Sequence, residues 1–428
     1  MSTTAEPAAG DGELDLLVRR ARLRDGRVVD LAVRDGRFVR VAPEVTEPAR
    51  TEIDASGRLV LPGLVDPHLH VDKALTVGHG TAWPEGTFQE SIDMTLERRR
   101  SYTTEDLLRR GREVLELAVA YGTTALRAFA DVGTVGGLRS AEALLALRDE
   151  FADLLDVQVV AFPQEGLVRD PGAGALLVRA MEAGCDVVGA FPWFELSSTH
   201  AQEHLDEAFE VARRFDADVH AFVDDEPVAP QVHNLEQLAL STIAAGWQGR
   251  VVASHGCGLA SYDDHLAERT IMLVRDAGIS VCANAHVSLV SKCEHASQPI
   301  PRGITRVREL IAAGVNVVTG QDDVADPYYP FGRADMLEVA SFLVHTAHLY
   351  RPEDVEHGLD AVTENGARAM RLEDYGIREG AWADLVVLDE GSTATDVLRL
   401  QPARRWVVRR GRIVATTETR REVRRGRG

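Results

Sequence analysis

Eight short apolar runs, rich in β-branched residues and separated by stretches with helical spacing, constrain this chain more than any other feature. The first crosses Pro62-Gly63 and ends at His70; the others cover 123–132, 156–164, 186–191, 217–223, 250–255, 280–285 and 316–323. Between them, 103–122 opens on a Thr-rich cap and closes on Gly122, and 203–216, 266–278 and 306–314 repeat apolar residues at the helical period. Eight β units, each followed by a helix, predict a (β/α)8 TIM-type barrel. Continuously apolar strands are those of a parallel sheet covered on both faces. The flanks follow a different pattern. Residues 13–60 alternate, with Asp-Gly turns at 25–26 and 35–36, and 376–416 again hold short strands with Gly turns. Such half-sheets predict one small β-sandwich built from both ends of the chain. The expected organisation is a flexible leader over 1–12, a β-sandwich domain from 13–60 plus 376–416, a catalytic barrel over 61–375 and a basic tail over 417–428.

With 428 residues, 45% of them hydrophobic, the chain can bury a large core. No apolar run is long enough to span a membrane, and the opening MSTTAEPAAGDGELD lacks the basic-then-apolar order of a signal peptide. Cys185, Cys257, Cys282 and Cys293 show no metal-knuckle spacing and need no pairing, so a reduced, cytoplasmic protein is expected. A formal net charge of −20 argues against nucleic acid, which wants a basic face. The C-terminal RREVRRGRG reads as a solvated tail. A small molecule is the expected partner.

In LVLPGLVDPHLHVDKA, residues 59–74, His68 and His70 stand two apart. Side chains at i and i+2 of a strand face the same way. At the C-terminal end of a first barrel strand that direction is the catalytic mouth. Two buried imidazoles side by side are costly unless a partner satisfies both, and a metal ion does so. Alone, His-x-His is equally two satisfied polar residues. Other strand ends shift that balance: the fifth ends in His220, the sixth in His255, the eighth in Asp322 and Asp323. His68, His70, His220 and Asp322 would supply three nitrogens and a carboxylate to one divalent transition metal, Zn or Fe, with Mn also compatible, leaving a position for water. In this scheme Asp322 both ligates and takes the proton of the activated water, and His255 hydrogen-bonds the nucleophile or polarises the bond under attack. The fourth strand and its exit, DVVGAFPWFE, hold no Lys to bridge a second ion, so one metal per chain is expected, with Glu195 in a supporting role.

In order along the chain, LPGLVDPHLHVDKA, VVAFPQEGL, DVVGAFPWFE, RVVASHG, PRGITRVRELIAAGVNV, GQDDVADPYYPFGRADMLEVA and RLEDYGIREGAWADLVVL resemble the amidohydrolase superfamily, and within it the cytosine deaminase-like branch. The chain is also similar to the relatives that strip an N-alkyl amine from a triazine, of the N-isopropylammelide isopropylamidohydrolase type. The resemblance spans about residues 15–415. It implies the same metal ligands and a substrate-polarising His255. It further implies that Gln164 reads the amide edge of a pyrimidine-like ring and that Asp323 orients the reacting centre or leaving nitrogen. Phe162 and Tyr328 would line the ring faces, with simple packing as the alternative. Homo-oligomers are common among such relatives.

One departure bears on mechanism. Cytosine deaminases carry a proton-shuttling Glu three residues after the fifth-strand His, and this chain has Val223 there, in HAFVDDEP. Asp224 could shuttle the proton if the loop shifts; otherwise Asp224, Asp225 and Glu226 are solvated loop residues. Gln321 stands where those enzymes have His and cannot carry a proton. The expected activity is therefore metal-dependent hydrolysis of a C–N bond in a small nitrogen-rich heterocycle or amide. Deamination of a ring other than cytosine, amine release and ring opening rank equally. The alternative is a non-hydrolytic or pseudoenzyme descendant that binds a ligand, or templates another metal-dependent reaction, in the same pocket. Lys73, Cys257, Asn284, His286 and His295 read as structural, with His286, just past the seventh strand, closest to a functional role.

Overall fold

The computed structural model describes residues 13–77, 88–226, 232–292 and 302–424. Expectations about the leader, Cys293, His295 and the last four residues of the tail lie outside the described residues. Eight parallel strands run in sequence order around one sheet: Leu64–Leu69, Thr123–Asp131, Asp156–Phe162, Val187–Ala190, Asp218–Val223, Val251–His255, Ser280–Cys282 and Val317–Val318. Helices alternate with them on the outside, as the periodicity predicts. Thr104–Ala120 shows why: Thr103 accepts from the Asp106 N–H, Glu105 and Asp106 sit in the first turn, and Leu107, Val114, Leu115 and Val119 turn inward.

The last two strands are shorter than their apolar runs. The seventh ends at Cys282 because the chain turns into a helix, Ala285–Ser291; the eighth keeps two ladder residues before its polar end leaves the sheet. Closure is completed further along, by a parallel bridge between Leu69 and Asp322. There the His70 N–H donates to the Asp322 carbonyl and the Asp322 N–H to the His68 carbonyl, each at 2.7 Å. Gly320 lets the eighth segment come this close: a Cβ there would stand 2.6 Å from the His68 Cβ and 2.7 Å from its carbonyl oxygen. The backbone that seals the barrel thus also carries His68, His70 and Asp322, three of the four metal-site candidates.

The flanks make two four-stranded sheets. One holds Leu14–Arg22, Val28–Arg34, Arg37–Ala42 and Ala49–Asp54; the other holds Val60–Pro62, Leu385–Leu388, Arg404–Arg409 and Arg412–Thr416. Asp35 and Gly36 both have positive φ, 51° and 75°, joining paired strands as a two-residue hairpin turn demands. Leu16, Val18, Leu31, Val33, Leu385, Val387 and Val408 meet in one apolar cluster between the two sheets. The second sheet leads directly into the first barrel strand through Gly63, whose carbonyl accepts from the Tyr375 hydroxyl at 2.7 Å.

Candidate metal centre and active site

His68 and His70 emerge together, as strand parity requires, and are 0% and 2% exposed. Their Nε2 atoms lie 3.4 Å apart, and Asp322 Oδ1 is 3.1 Å from the first and 3.6 Å from the second. Donors around a tetrahedral ion with bonds near 2.0 Å stand about 3.3 Å from one another. These atoms have that spacing, which makes the residues present a fit for a divalent cation. His255 Nε2 is 3.9 Å from Asp322 Oδ2. Both His255 and Asp322 adopt left-handed backbone, φ 69° and 63°, a costly conformation that turns each side chain at its strand end. His220 packs its ring edge-on against His68, centroids 5.2 Å apart. Ser254 Oγ lies between these two rings, 2.6 Å from His68 Nδ1 and 2.6 Å from His220 Nε2. Among the described residues, Nδ1 of His70, Nδ1 of His220, both ring nitrogens of His255 and Asp322 Oδ2 are buried without a hydrogen-bond partner. Buried atoms left unpaired in this way are costly without a ligand. His68, His255 and Asp322, like His70, Asp322 and Asp323, bring donor atoms within 4.8 Å of one another; among the described residues no such group includes His220.

The electrostatics suit a cation. Burial, reinforced by the Lys73 charge, holds the His70 imidazole well below its usual range; burial and His68 do the same for His220. Both are favoured as neutral ligands. Burial pushes the Asp322 carboxyl up, but His68 and His255 outweigh it and hold the group well below the usual carboxylate range. Asp323 goes the other way: burial and the charges of Asp326 and Asp322 push it well above that range, favouring the neutral acid.

Above these groups opens a cleft enclosing about 360 Å³ of space, part of it open to solvent. Gln164, Asp323 and Tyr328 line it together with His70, His255 and Asp322. Phe162 does not line it; its ring lies behind, 4.4 Å from Phe222 and 5.9 Å from His70, and Phe222 and Phe191 supply the apolar wall.

Asp224 faces away from the cavity. Its carboxylate accepts from the backbone N–H of Asn234 at 2.8 Å and of Leu235 at 3.3 Å, and from the Tyr262 hydroxyl at 2.8 Å, capping the helix Asn234–Ala245. Asp225 lines the cavity instead, with Oδ2 2.8 Å from Lys292 Nζ and Oδ1 3.5 Å from His255 Nδ1. Parity explains Val223. His220 and Phe222 face the barrel interior, whereas Ala221 and Val223 join the apolar core under the helices, with Leu235.

His286 donates from Nε2 to the Gln321 carbonyl at 2.8 Å, and Asn284 Oδ1 accepts from Gly320 N at 3.1 Å, so both tie the seventh strand to the eighth. The Gln321 amide turns to the Asp323 carbonyl at 3.2 Å. Cys257 is buried beside Ser288, 3.5 Å from its Oγ. Lys73, by contrast, belongs to the cavity wall. Sequence reading missed Ser254, Asp225 and Lys292. The only signal for Ser254 was a hydroxyl immediately before a strand-end His, and for Asp225 an acid two residues beyond the place of the missing Glu.

The family model described as amidohydrolase family matches residues 51–101 and 85–415. Over 415 residues the chain is 31% identical to N-isopropylammelide isopropyl amidohydrolase from Pseudomonas sp. (strain ADP), covering 95% of this chain and 98% of that protein. It is 30% identical to pterin deaminase from Rhizobium rhizogenes, over 90% of this chain and 87% of the relative. Its structure is similar to that of 5-methylcytosine deaminase from Klebsiella pneumoniae liganded with 5-fluorocytosine, with a TM-score of 0.90 at 34% identity, covering 95% and 99% of the two chains.

Proposed function

We propose that this chain, which belongs to the amidohydrolase family, is a metal-dependent hydrolase that releases ammonia or an alkylamine from a small, oxo-substituted nitrogen heterocycle. Hydrolysis of non-peptide C–N bonds is the activity of the family members it resembles. The carrying observation is the tetrahedral spacing of the His68, His70 and Asp322 donor atoms beneath a cavity lined by Gln164, Asp323 and Tyr328. His68, His70, His220 and Asp322 would hold one Zn, Fe or Mn ion. Bound there, the ion supplies an activated water and polarises the carbon under attack. Asp322 Oδ2 takes the water's proton, and His255 Nε2, 3.9 Å away, receives it and delivers it to the departing amine. Asp225 Oδ1 stands 3.5 Å from His255 Nδ1, where its charge favours a protonated ring. His255 thereby does the work of the Glu replaced by Val223, and Asp224 stays a helix cap. Gln164, Asp323 and Tyr328 orient the ring. Release of an exocyclic amine is favoured over ring opening by the likeness to pterin deaminase and 5-methylcytosine deaminase.

The test is amine release from metal-loaded protein over cytosine, isocytosine, creatinine and N-alkyl triazines. His255→Asn should keep its metal and lose about 10²- to 10⁴-fold in turnover. Full turnover in that variant would remove the role given to His255; no release from any ring would remove the reading itself.

A further inference from the structure

Lys73 and Gln164 meet across the cavity wall. Lys73 is 2% exposed, and its Nζ lies 3.3 Å from Asp131 Oδ1 and 2.5 Å from Gln164 Oε1. An ammonium ion has three hydrogens to give and no lone pair. The amide atom it touches is therefore the oxygen, and the terminal NH2 points the other way. Gln164 Nε2 makes no hydrogen bond with a described residue, and Gln164 lines the cavity. Left free, a glutamine amide could rotate to offer either group, and so read a ring edge holding both N–H and C=O. Here the ion pair with Asp131 fixes Lys73, and Lys73 fixes the amide.

We infer that Lys73 is a positioning residue that locks Gln164 with its NH2 toward the cavity, so that the site selects rings presenting a carbonyl oxygen there and discriminates against rings presenting an amino group. The inference deepens the proposed function and rests on its reading of the cavity as a ring site. It narrows the role implied for Gln164 from an amide edge to an acceptor.

The experiment compares two threefold-symmetric rings, cyanuric acid and melamine, whose exocyclic groups are all carbonyl or all amino. No rotation of either ring can then hide its substituent. Dissociation constants of both are measured by calorimetry on zinc-loaded wild type, Lys73→Met and Gln164→Glu, with metal content checked in each. The readout is the ratio of the two constants, which cancels any general weakening. In Lys73→Met the amide is free to turn, and the ratio should shift toward melamine by about tenfold. In Gln164→Glu the side chain accepts only, and the shift should be at least as large. Should Lys73→Met fail to fold because Asp131 is left with Arg99 alone, the double variant Lys73→Met/Asp131→Asn takes its place, since Gln164→Glu tests the amide and not the lysine. If wild type binds a ring and the ratio stays unmoved in every folded variant, Lys73 does not set the preference and the inference falls alone. If wild type binds neither ring and releases no amine, the ring-site reading falls and takes the inference with it.

Discussion

Asp224 and Val223 show how one position along the chain separates a structural group from a chemical one. Asp224 is 0% exposed and fully occupied by Asn234, Leu235 and Tyr262. Asp224→Ala should therefore cost about 1–2 kcal/mol of stability, the value of a lost N-terminal cap, and leave the pH profile of turnover in place. Val223→Glu would put a carboxylate among Ala221 and Leu235 beneath the helices. Burying an unpaired acid there should cost about 3 kcal/mol or more and give no gain in cytosine turnover. Urea denaturation and an ammonia assay check both variants. A Val223→Glu protein that folded normally and deaminated cytosine would show that this position does reach the mouth.

At the scale of the element, Glu195 fastens the loop that follows Gln164. Oε1 accepts from Leu167 N at 2.7 Å and Val168 N at 3.0 Å, Oε2 from Arg169 N at 3.1 Å, and His204 Nδ1 lies 2.7 Å from Oε1. Since the Phe191 N–H donates to His204 Nε2 at 2.9 Å, the ring proton sits on Nδ1 and points at Glu195. Burial pushes the Glu195 carboxyl up, but His204 and the backbone donors outweigh it and hold it below the usual 4.5. A lowered carboxyl stabilises the fold above its unfolded value and loses that contribution as pH falls through the folded one. Glu195→Gln should therefore lose about 1.5–3 kcal/mol at neutral pH, and the gap to wild type should close as the solution is acidified below pH 4.5. Denaturation curves across pH test this; a gap independent of pH would show that the charge is not what holds the loop. The barrel seam makes a second element-scale prediction. An added methyl at Gly320 meets His68 within 2.6 Å, so Gly320→Ala should cost about 1–3 kcal/mol and lower metal content at a fixed metal concentration.

At the scale of the whole molecule, the flanking sheets are pinned to the barrel by ion pairs. Arg24, on the turn between the first two strands of the first sheet, reaches Glu356 at 2.6 Å and Asp360 at 2.7 Å, and Arg404 of the second sheet is buried against Asp335. The metal candidates lie on three different barrel strand ends, so a bound ion ties together segments from 68 to 322. Chelation should therefore destabilise the entire fold. With free metal at about a thousand times its Kd, the linkage is about 4 kcal/mol. Calorimetry before and after chelation, followed by re-addition of zinc, iron or manganese, measures it and ranks the metals; an unchanged melting temperature would mean that no ion is held there.

Much of this was legible along the chain. Alternation and helical period are local, so the eight β units, the hairpin at Asp35-Gly36 and the polar residues closing the strands could be read directly. Parity also shows that His68 and His70 face one way. What the chain could not reveal is which polar atoms meet once the strands are rolled up. That closure runs through Leu69 and Asp322, that Ser254 stands between two imidazoles, that Asp225 reaches the cavity where Asp224 does not, and that Lys73 holds Gln164 all depend on contacts between segments far apart in sequence. Local pattern fixes which face of an element is buried, because burial repeats with the element's own period. Hydrogen bonds and ion pairs at the mouth are fixed only by how the elements converge, and a backbone turned left-handed at His255 or Asp322 redirects a side chain in a way that periodicity cannot register.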